Sequence, residues 1–246
     1  MTPIEQYKQN DKLRLLLQGP SGTGKTTLAC QFPGAYVVDV DRNLGGPLRF
    51  LKNHDMKLPV GFDVLDIDES GNEVPMKFRY SRLDKLLLDA QQRQEVETIV
   101  LDSGTTLSDV LIGEVLRQQN KNAITDWKDQ RQFWNFFAGV GRKFMGTLAQ
   151  MRKHIVLIVH ERLNTTESGA VVYPVKVAWP GQVGQNIGAF FTNVWRAEVM
   201  IVPKALETTY RWQIRTKPDG KYELKDSLEL PPLFEFNWKT IEDRLK

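Results

Sequence analysis

Four short, mostly apolar runs predict the buried strands of a mainly parallel β-sheet. They are residues 13–17 (LRLLL), 35–40 (AYVVDV), 98–101 (TIVL) and 155–159 (IVLIV). Apolar runs without alternation are typical of strands that helices cover on both faces of a sheet. Residues 25–31, which follow a Gly-rich turn and precede Pro33, have the length of a helix. The first part of the chain therefore reads as a strand, loop, helix, strand unit.

Apolar residues at helical spacing predict two amphipathic helices in the middle of the chain. The first helix carries Leu107, Val110, Leu111, Val115 and Leu116. The second helix carries Phe133, Phe136, Phe137, Val140, Phe144, Leu148 and Met151. On the second helix, we expect four aromatic residues to lie in the core, namely Phe136, Phe137, Phe144 and Trp134.

The chain after His160 combines an irregular segment with strand patterns. Residues 161–185 show no periodicity, whereas residues 194–202, 208–215 and 221–224 are rich in β-formers. The tripeptide at residues 218–220 (PDG) predicts a hairpin turn between the last two strands, since Pro sets the first corner and Gly relieves the last. The fold class that we predict is α/β, with a mainly parallel sheet flanked by helices and antiparallel strands near the C-terminus.

We predict one domain over residues 1–246, with an N-terminal extension at residues 1–11 and a C-terminal tail at residues 231–246. In that tail, Asn237 would cap a short helix that places on one face Trp238, Ile241 and Leu245. The apolar face of this helix either packs on its own domain or docks a partner.

Composition excludes several classes of protein. Of 246 residues, 41% are hydrophobic and 26% charged, as in a folded soluble protein. No run of about 18 apolar residues is present and the N-terminus is polar, so we expect a cytoplasmic protein without a membrane partner. The single Cys30 excludes an internal disulfide and any cysteine-based zinc site. The three separated histidines, His54, His154 and His160, have no ligand spacing for a metal site, so any metal would be held by oxygen.

Charge is unevenly distributed although the net charge is only +3. Residues 60–112 contain 5 basic and 11 acidic side chains, whereas residues 113–160 contain 8 basic and 3 acidic side chains. Such asymmetry marks either an electrostatic footprint for a nucleic acid or a solvated helix face. The charge pattern alone leaves both interpretations open.

A phosphate-binding motif follows the first predicted strand. Residues 19–26 (GPSGTGKT) fit the P-loop pattern and open the first predicted helix. Glycines let the backbone N–H groups wrap a triphosphate, Lys25 brings a positive charge to the β- and γ-phosphates, and Thr26 presents a hydroxyl to Mg²⁺. The predicted nucleotide-binding residues are Gly19, Pro20, Ser21, Gly22, Thr23, Gly24, Lys25, Thr26 and Thr27, the last on the α-phosphate side.

Carboxylates at strand ends are candidates for metal binding and catalysis. Asp102 follows the third apolar run, at the edge where open α/β sheets bind ligands, and we assign it with Thr26 to Mg²⁺. Hydrolysis also needs a group that orients or deprotonates water. Asp41, at the end of the second run, is the preferred base, and Asp39 is its competitor because strand alternation puts both on one side.

His160 ends the fourth apolar run at the same edge of the sheet. A polar side chain there can contact the γ-phosphate and report its presence to the following loop. The alternative is a histidine that only caps the strand.

The order of these motifs resembles that of the RecA-like core ATPases. GPSGTGKT, VVDVD, TIVLDS, VLIVHE and the late TKPDGKYELKDSL look most like the phage-encoded, core-only RecA relatives that act in single-strand annealing or recombination. The resemblance covers residues 12–230. It implies a RecA-like fold, hydrolysis of ATP with Mg²⁺, and self-association as a ring or filament. It also implies single-stranded DNA as a partner, and a single-strand-binding protein as a second one.

The resemblance also assigns roles to individual positions. Asp41 matches the family's catalytic acid, which is commonly Glu, and His160 stands where RecA itself has Gln. Lys225 matches the late-strand lysine that reaches the γ-phosphate of a neighbouring subunit, and Lys217 is a second candidate for that role. Catalysis is thus assigned to Lys25, Asp41, Asp102, His160 and Lys225.

The family's DNA loops follow the third and fourth strands. In the first such stretch, aromatic residues interleave with basic ones, which is the pattern of single-strand binding. The second stretch, residues 164–185, is predicted to be a long mobile loop. The DNA-binding residues that we predict are Lys121, Lys128, Arg131, Arg142, Lys143 and Lys176.

Three other functions remain as alternatives. A nucleotide-gated interaction module would bind ATP without much hydrolysis. A helicase-loader-like ATPase should carry a helical lid after the core, whereas this chain turns to strands. A P-loop kinase for a small molecule should carry a lid with several arginines, and only Arg162 lies near the candidate lid.

Overall fold

The structure, a computed structural model, describes residues 12–203 and 208–245. Within these residues, nine strands form one sheet. They are β1 (Arg14–Gly19), β2 (Ala35–Asp39), β3 (Gly61–Val64), β4 (Thr98–Asp102), β5 (His154–Thr165), β6 (Val171–Val177), β7 (Asn193–Pro203), β8 (Thr208–Arg215) and β9 (Leu233–Glu235).

Helices follow most of the strands. They are α1 (Lys25–Ala29), α2 (Gly45–Asn53), α3 (Met76–Gln92), α4 (Gly104–Gln118), α5 (Gln130–Gln150), α6 (Gly181–Gln185) and α7 (Trp238–Leu245). Short 3₁₀ turns lie at Ile124–Asp126 and Ile187–Phe190. Helices α4 and α5 confirm the two amphipathic helices, whereas α2 and α3 were not predicted from the sequence.

The strand order is β3-β2-β4-β5-β1-β7-β8-β9, and β6 pairs with the far end of β5. The first six strands in this order, β3, β2, β4, β5, β1 and β7, are parallel. Strands β8 and β9 are antiparallel to their neighbours. The predicted fold class is therefore confirmed. Because parallel strands end at one edge, the carboxyl ends of β1, β2, β4 and β5 lie side by side, and this edge carries the candidate site.

Two apolar layers cover the sheet. On β5, Ile155, Leu157 and Val159 face the layer built with α3, α4 and α5. Val156 and Ile158 face the opposite layer, built with α1, α2 and α7. Since neighbouring strand residues point to opposite faces, a run that is apolar at every position needs cover on both sides. This double cover explains why the buried strands could be recognised from the sequence.

The strand β5 is longer than predicted. It continues through His160 to Thr165, and its far end pairs antiparallel with β6, for example Glu161 with Val177. The prediction of an irregular segment at residues 161–185 is therefore wrong, and residues 164–185 form the end of β5, β6 and α6 instead of one loop. The exposed faces of this hairpin carry mixed polar and apolar residues, so they lack the run that marks a buried strand.

The late strands also differ from the prediction. Residues 221–224 form no strand, because Tyr222 makes only an isolated bridge to Val175. The turn at residues 218–220 is consequently not the hairpin that was predicted, and β8 pairs with β9 instead. Strand β9 lies within the segment predicted as a tail, so that segment completes the sheet.

Helix α7 packs on its own domain, as one of the two alternatives predicted. Asn237 caps it by accepting a hydrogen bond from Lys239 N at 2.9 Å. Ile241 is fully buried, and the Trp238 ring lies 5.2 Å from the ring of Phe32 on the body of the domain. The predicted N-terminal extension at residues 1–11 lies outside the described residues.

Candidate nucleotide site

The P-loop joins β1 to α1 and has the backbone shape that phosphate binding requires. Gly22 and Gly24 adopt φ of +79° and +77°, a region that residues with a Cβ rarely occupy. A Cβ on Gly24 would also lie 2.8 Å from the Trp212 ring, whereas one on Gly22 would meet nothing within 4 Å. Gly22 thus leaves its side of the loop open for a ligand.

Lys25 is buried at the start of α1. Its Nζ donates hydrogen bonds to the carbonyl oxygens of Gly19 and Pro20 at 2.8 and 2.6 Å. Burial lowers the pKa of Lys25 to about 8, although the charge of Asp102 opposes the shift. Neutral carbonyls compensate a buried ammonium only in part, so an anionic phosphate is a better partner than the loop itself.

Thr26 and Asp102 form the predicted metal-binding pair. Thr26 Oγ1 donates a hydrogen bond to Asp102 Oδ2 at 2.6 Å. Burial raises the pKa of Asp102 to about 6, and the carboxylates of Asp41 and Asp39 add to the rise. Hydroxyl and carboxylate oxygens suit Mg²⁺, and no cluster of three or more His, Cys, Asp or Glu metal ligands occurs in the part of the chain that the structure describes. These two residues fit a cation whose remaining ligands are phosphate and water.

The raised pKa of Asp102 makes a prediction about stability. A pKa near 6 means that the native state holds the proton more tightly than the unfolded chain, so stability is lost as the pH rises from about 4 to about 6. Asp102→Asn, which keeps an acceptor for Thr26, should raise the free energy of unfolding by about 1–3 kcal/mol at pH 7.5 without nucleotide or Mg²⁺. Urea denaturation at pH 7.5 and 4.5 measures this gain, which should shrink at the lower pH.

Asp89→Asn, an exposed substitution on α3, is the control for this measurement. Its effect should be small and equal at the two pH values. A loss of stability in Asp102→Asn at pH 7.5 would contradict the prediction.

The two candidate bases occupy different environments. Asp39 accepts backbone hydrogen bonds from Asn43 and Leu44, both at 3.2 Å, and so fixes the turn that leads into α2. Asp41 accepts a hydrogen bond from Ser103 Oγ at 2.8 Å through Oδ2, while its Oδ1 is buried and has no protein partner. Because only Asp41 of the two lines the cavity described below, it has the geometry of the base and Asp39 has that of a capping residue.

His160 lies beside the P-loop. In the sheet it pairs with Gly19, and its backbone N–H donates to Thr105 Oγ1 at 3.1 Å. Burial and the charge of Lys25 lower the pKa of His160, which favours a neutral ring near pH 7. The prediction that His160 ends its strand is wrong, because β5 runs on into the hairpin with β6. His160 and the hairpin are therefore parts of the same strand, β5.

One cavity of about 1000 Å³ contains the phosphate-binding residues and extends well beyond them. Lys25, Thr26, Asp41, Asp102 and His160 line its inner part. Its outer part is formed by α2, β8 and β9, through residues that the sequence analysis did not single out. They are Phe50, His54, Met56, Arg211, Trp212, Glu235 and Phe236.

Comparison with known proteins agrees with this geometry. A family model described as an AAA domain, AAA_24, matches residues 11–227, which is most of the chain. The chain belongs to this AAA domain family. It is therefore a P-loop ATPase, and its mainly parallel sheet with antiparallel late strands is the architecture that the sequence pattern predicted.

Other comparisons are less informative. No curated protein matches this AAA domain. Among solved structures it is similar to a KaiC-like protein of Pyrococcus horikoshii OT3, at 15% sequence identity and a TM-score of 0.39. That alignment covers 87% of this chain and 83% of the other. None of the helices within the described residues is long and apolar enough to cross a membrane.

The AAA domain does not bring Lys225 to its own cavity. The backbone of Lys225 pairs with Val194 on β7, and the Lys225 side chain is exposed. Lys217, the second candidate, donates to Asp226 Oδ2 at 3.1 Å. A role of either lysine on a neighbouring subunit stays a prediction.

A charged cluster that the sequence analysis missed lies next to Lys25 and His160. Arg196 on β7 is buried and donates to both carboxylate oxygens of Glu161, at 2.7 and 3.2 Å. It also donates to Glu198 at 2.9 Å and lies 4.0 Å from the Tyr222 ring centroid. The cluster joins β5, immediately after His160, to β7. Glu161 and Tyr222 are distant in sequence from Arg196, so no local motif indicates the cluster.

The predicted DNA-binding residues differ in whether their charged groups already have a partner within the protein. Lys176 forms an ion pair with Glu223, and Lys121 donates to the backbone oxygen of Asp126 at 3.2 Å. The other four form no ion pair within 4.0 Å among the described residues, and all four are exposed. They are Lys128, Arg131, Arg142 and Lys143.

Aromatic residues on α5 lie close to these charges. Phe137 and Phe144 are buried, as predicted, but Phe136 is 44% exposed and Trp134 is 37% exposed. The prediction that Phe136 and Trp134 lie in the core is therefore wrong. The spacing of residues 133, 136 and 137 indicated one face, but Phe136 lies at the edge of that face.

Proposed function

We propose that this AAA domain hydrolyses ATP with Mg²⁺ while bound to single-stranded DNA, and that it acts in phage recombination, single-strand annealing or replication. One observation carries the enzymatic part of the proposal. A P-loop lysine, a hydroxyl–carboxylate pair, a second carboxylate with a free oxygen and a histidine all line a single cavity. These are the groups that phosphoryl transfer to water requires.

The residues divide the work by position. Lys25 neutralises charge on the β- and γ-phosphates, and the P-loop N–H groups hold their oxygens. Thr26 and Asp102 would hold Mg²⁺, which withdraws charge from the phosphate oxygens when bound. Asp41 Oδ1, buried and without a protein partner, is available to orient a water and accept its proton. We assign to the His160 side chain, which lines the same cavity, the contact with the γ-phosphate.

A slow basal rate follows from the same arrangement. Asp41 is one methylene shorter than the Glu that is common at this position in RecA-like relatives. A small misplacement of a base lowers the rate strongly, so assembly that brings Lys225 of one copy to the γ-phosphate of another would raise turnover. Self-association is therefore part of the proposal, and a single-strand-binding protein is an expected partner.

The DNA part of the proposal rests on α5 and the segment before it. Lys128, Arg131, Arg142 and Lys143 are exposed, and Trp134 and Phe136 present rings at the surface. Free cations track phosphates and exposed rings stack on bases, which together give sequence-independent binding of a single strand.

ATP turnover with and without a long oligo-thymidine strand, at 50 and 200 mM salt, tests the function. We expect stimulation by the strand that weakens at the higher salt. Turnover that ignores DNA would favour a small-molecule kinase, and tight ATP binding without turnover would favour the interaction module. A helical lid, which a helicase loader would need, has no counterpart among the described residues after β5, where only α6, a 3₁₀ turn and α7 are helical.

Removing three of the free cations should weaken DNA binding in a salt-dependent way. In Lys128→Ala, Arg142→Ala, Lys143→Ala, the slope of log affinity against log salt should become shallower by about 2, because each phosphate contact to a single strand contributes about 0.7. Fluorescence anisotropy with oligo-thymidine at several salt concentrations measures the slope.

The matched control removes three exposed lysines elsewhere on the domain, namely Lys57, Lys77 and Lys239. It lowers the net charge equally but should leave the slope within about 0.5 of the wild type. An equal change in both triple variants would mean that general charge, not the α5 surface, attracts the strand.

A further inference from the structure

The turn between β2 and α2 carries Asp41, and the next residue, Arg42, is held by a segment after β3 to which no motif assigns a role. We propose that Arg42 and Asp66 form a clamp that positions Asp41 for hydrolysis. Both are positioning residues, because they act through Asp41 and do not line the cavity. The inference rests on the proposed function, since it assumes that Asp41 accepts the proton of the attacking water.

The backbone of Arg42 has an uncommon conformation. Its φ is +57°, in the left-handed region that residues other than Gly, Asn and Asp rarely occupy. Such a conformation costs free energy and persists only where the surrounding structure holds it. Because Arg42 directly follows Asp41, this φ fixes the path of the chain beside the candidate base. The turn therefore needs a support outside itself.

Asp66 provides this support. Arg42 Nε and Nη2 donate to the two carboxylate oxygens of Asp66 at 2.9 and 2.7 Å. Arg79 lies 3.6 Å from the same carboxylate, which is only 13% exposed. The hydrogen bond from Arg42 lowers the pKa of Asp66, so the pair is charged at neutral pH. A bidentate pair that shares its carboxylate with a second arginine holds its geometry better than an isolated surface pair does.

The Asp66 carboxylate is attached to the sheet by a closed hairpin, residues 66–74. Just before it, the Leu65 N–H donates to the carbonyl oxygen of Asp39 at 2.9 Å, which continues the pairing of β3 with β2. The Val74 N–H then donates to the carbonyl oxygen of Asp66 at 2.8 Å. Within the turn, the Asp68 carboxylate accepts two backbone hydrogen bonds. Asp66 is thus a fixed point for the mobile side chain of Arg42.

The clamp supplements two other supports around Asp41. Asp39 holds the far end of the turn through two backbone hydrogen bonds, and Ser103 donates to one oxygen of the Asp41 carboxylate. The clamp fixes the residue between these points, while Asp41 Oδ1 stays without a protein partner. A shift of about 1 Å in a reacting group can lower a rate about a hundredfold, so partial loosening of the turn should slow hydrolysis.

Single-turnover hydrolysis of Mg²⁺-ATP by the full chain, with calorimetric titration of ATP, tests the clamp. Asp66→Ala should react about tenfold more slowly and keep ATP affinity within about twofold. Asp66→Glu, which retains a carboxylate, should recover a rate within about threefold of the wild type.

Arg42→Gly separates positioning from a merely structural role. Glycine adopts a positive φ readily, so urea denaturation should show no loss of stability. The variant nevertheless lacks the clamp, so its rate should fall about tenfold, as in Asp66→Ala. A residue that only supported the fold would not lower the rate without lowering stability.

Glu69→Ala is the matched control. Glu69 lies on the same hairpin and pairs with Arg82 and Lys85, each at 3.2 Å, but not with Arg42. Its loss should leave the rate within about twofold of the wild type. A second test adds Asp66→Ala to Asp41→Asn, which should slow hydrolysis less than about twofold further, because the carboxylate through which the clamp acts is already absent.

Two results would overturn the clamp. One is a wild-type rate in Asp66→Ala and Arg42→Gly, and the other is a further tenfold loss when Asp66→Ala is added to Asp41→Asn. Wild-type turnover in Asp41→Asn alone would instead refute the assignment of the base, and no hydrolysis by the wild type would refute the proposed function. The failure of the clamp is therefore distinguishable from the failure of the function.

Discussion

The Lys25→Ala variant is expected to bind ATP about a hundredfold more weakly than the wild type while keeping its fold. Among the described residues, Lys25 is the one Lys or Arg that lines the inner, phosphate-binding part of the cavity. Its side chain is buried. Charge-assisted hydrogen bonds to phosphate in such surroundings contribute about 2–3 kcal/mol, which corresponds to this factor. Calorimetric titration with Mg²⁺-ATP measures the loss.

The same variant has a second signature that does not depend on ATP. The pKa of Lys25 is about 8, below its ordinary 10.5, so the native state binds fewer protons than the unfolded chain between these values. Stability of the wild type should therefore rise as the pH increases from about 8 to about 10.5, and the variant should lack this rise. Urea denaturation at pH 8 and 10 compares the two.

Lys52→Ala is the control, because Lys52 is an exposed lysine on α2 near the cavity but not in its wall. It should preserve both ATP affinity and the pH dependence of stability. If Lys25→Ala bound ATP as tightly as Lys52→Ala, the P-loop would not be the phosphate site.

Local sequence pattern predicted the inner part of the site. The P-loop, Asp41 and Asp102 each follow an apolar run, and burial on both faces makes such runs visible in the sequence. The carboxyl ends of parallel strands then bring these residues together without further information. Alternation alone could not separate Asp41 from Asp39, and the choice of Asp41 as the base stays a prediction, although only Asp41 lines the cavity. The separation comes from the hydrogen bonds of Asp39 to the turn before α2.

The outer part of the site could not be predicted in this way. Phe50 and Trp212 are 162 positions apart, and they meet only because β8 pairs with β7 beside the P-loop strand. No spacing rule links an aromatic residue on a helix with one on a distant strand. The hairpin of β5 and β6 was missed for a related reason, since its exposed strands bury too little surface to require an apolar run.

Asp41→Asn should lower ATP turnover about 100- to 1000-fold and leave ATP affinity within about twofold. Asn retains an oxygen that can accept the hydrogen bond from Ser103, so the position of the side chain is preserved. It cannot accept a proton from water, and that loss affects the transition state rather than the bound substrate. Single-turnover hydrolysis, with calorimetric titration of ATP, separates rate from affinity.

Two further variants identify the base rather than a merely structural acid. Asp39→Asn keeps an oxygen that can accept the backbone hydrogen bonds of the turn before α2, and it should change turnover by less than about tenfold. Asp41→Glu should restore turnover relative to Asp41→Asn, since a carboxylate that can accept a proton is present again. Wild-type turnover in Asp41→Asn, or a larger loss in Asp39→Asn, would move the proton acceptor to Asp39. In that case the unpartnered Oδ1 of Asp41 would only bind water next to Asp102. The rate of hydrolysis would then depend on Asp39.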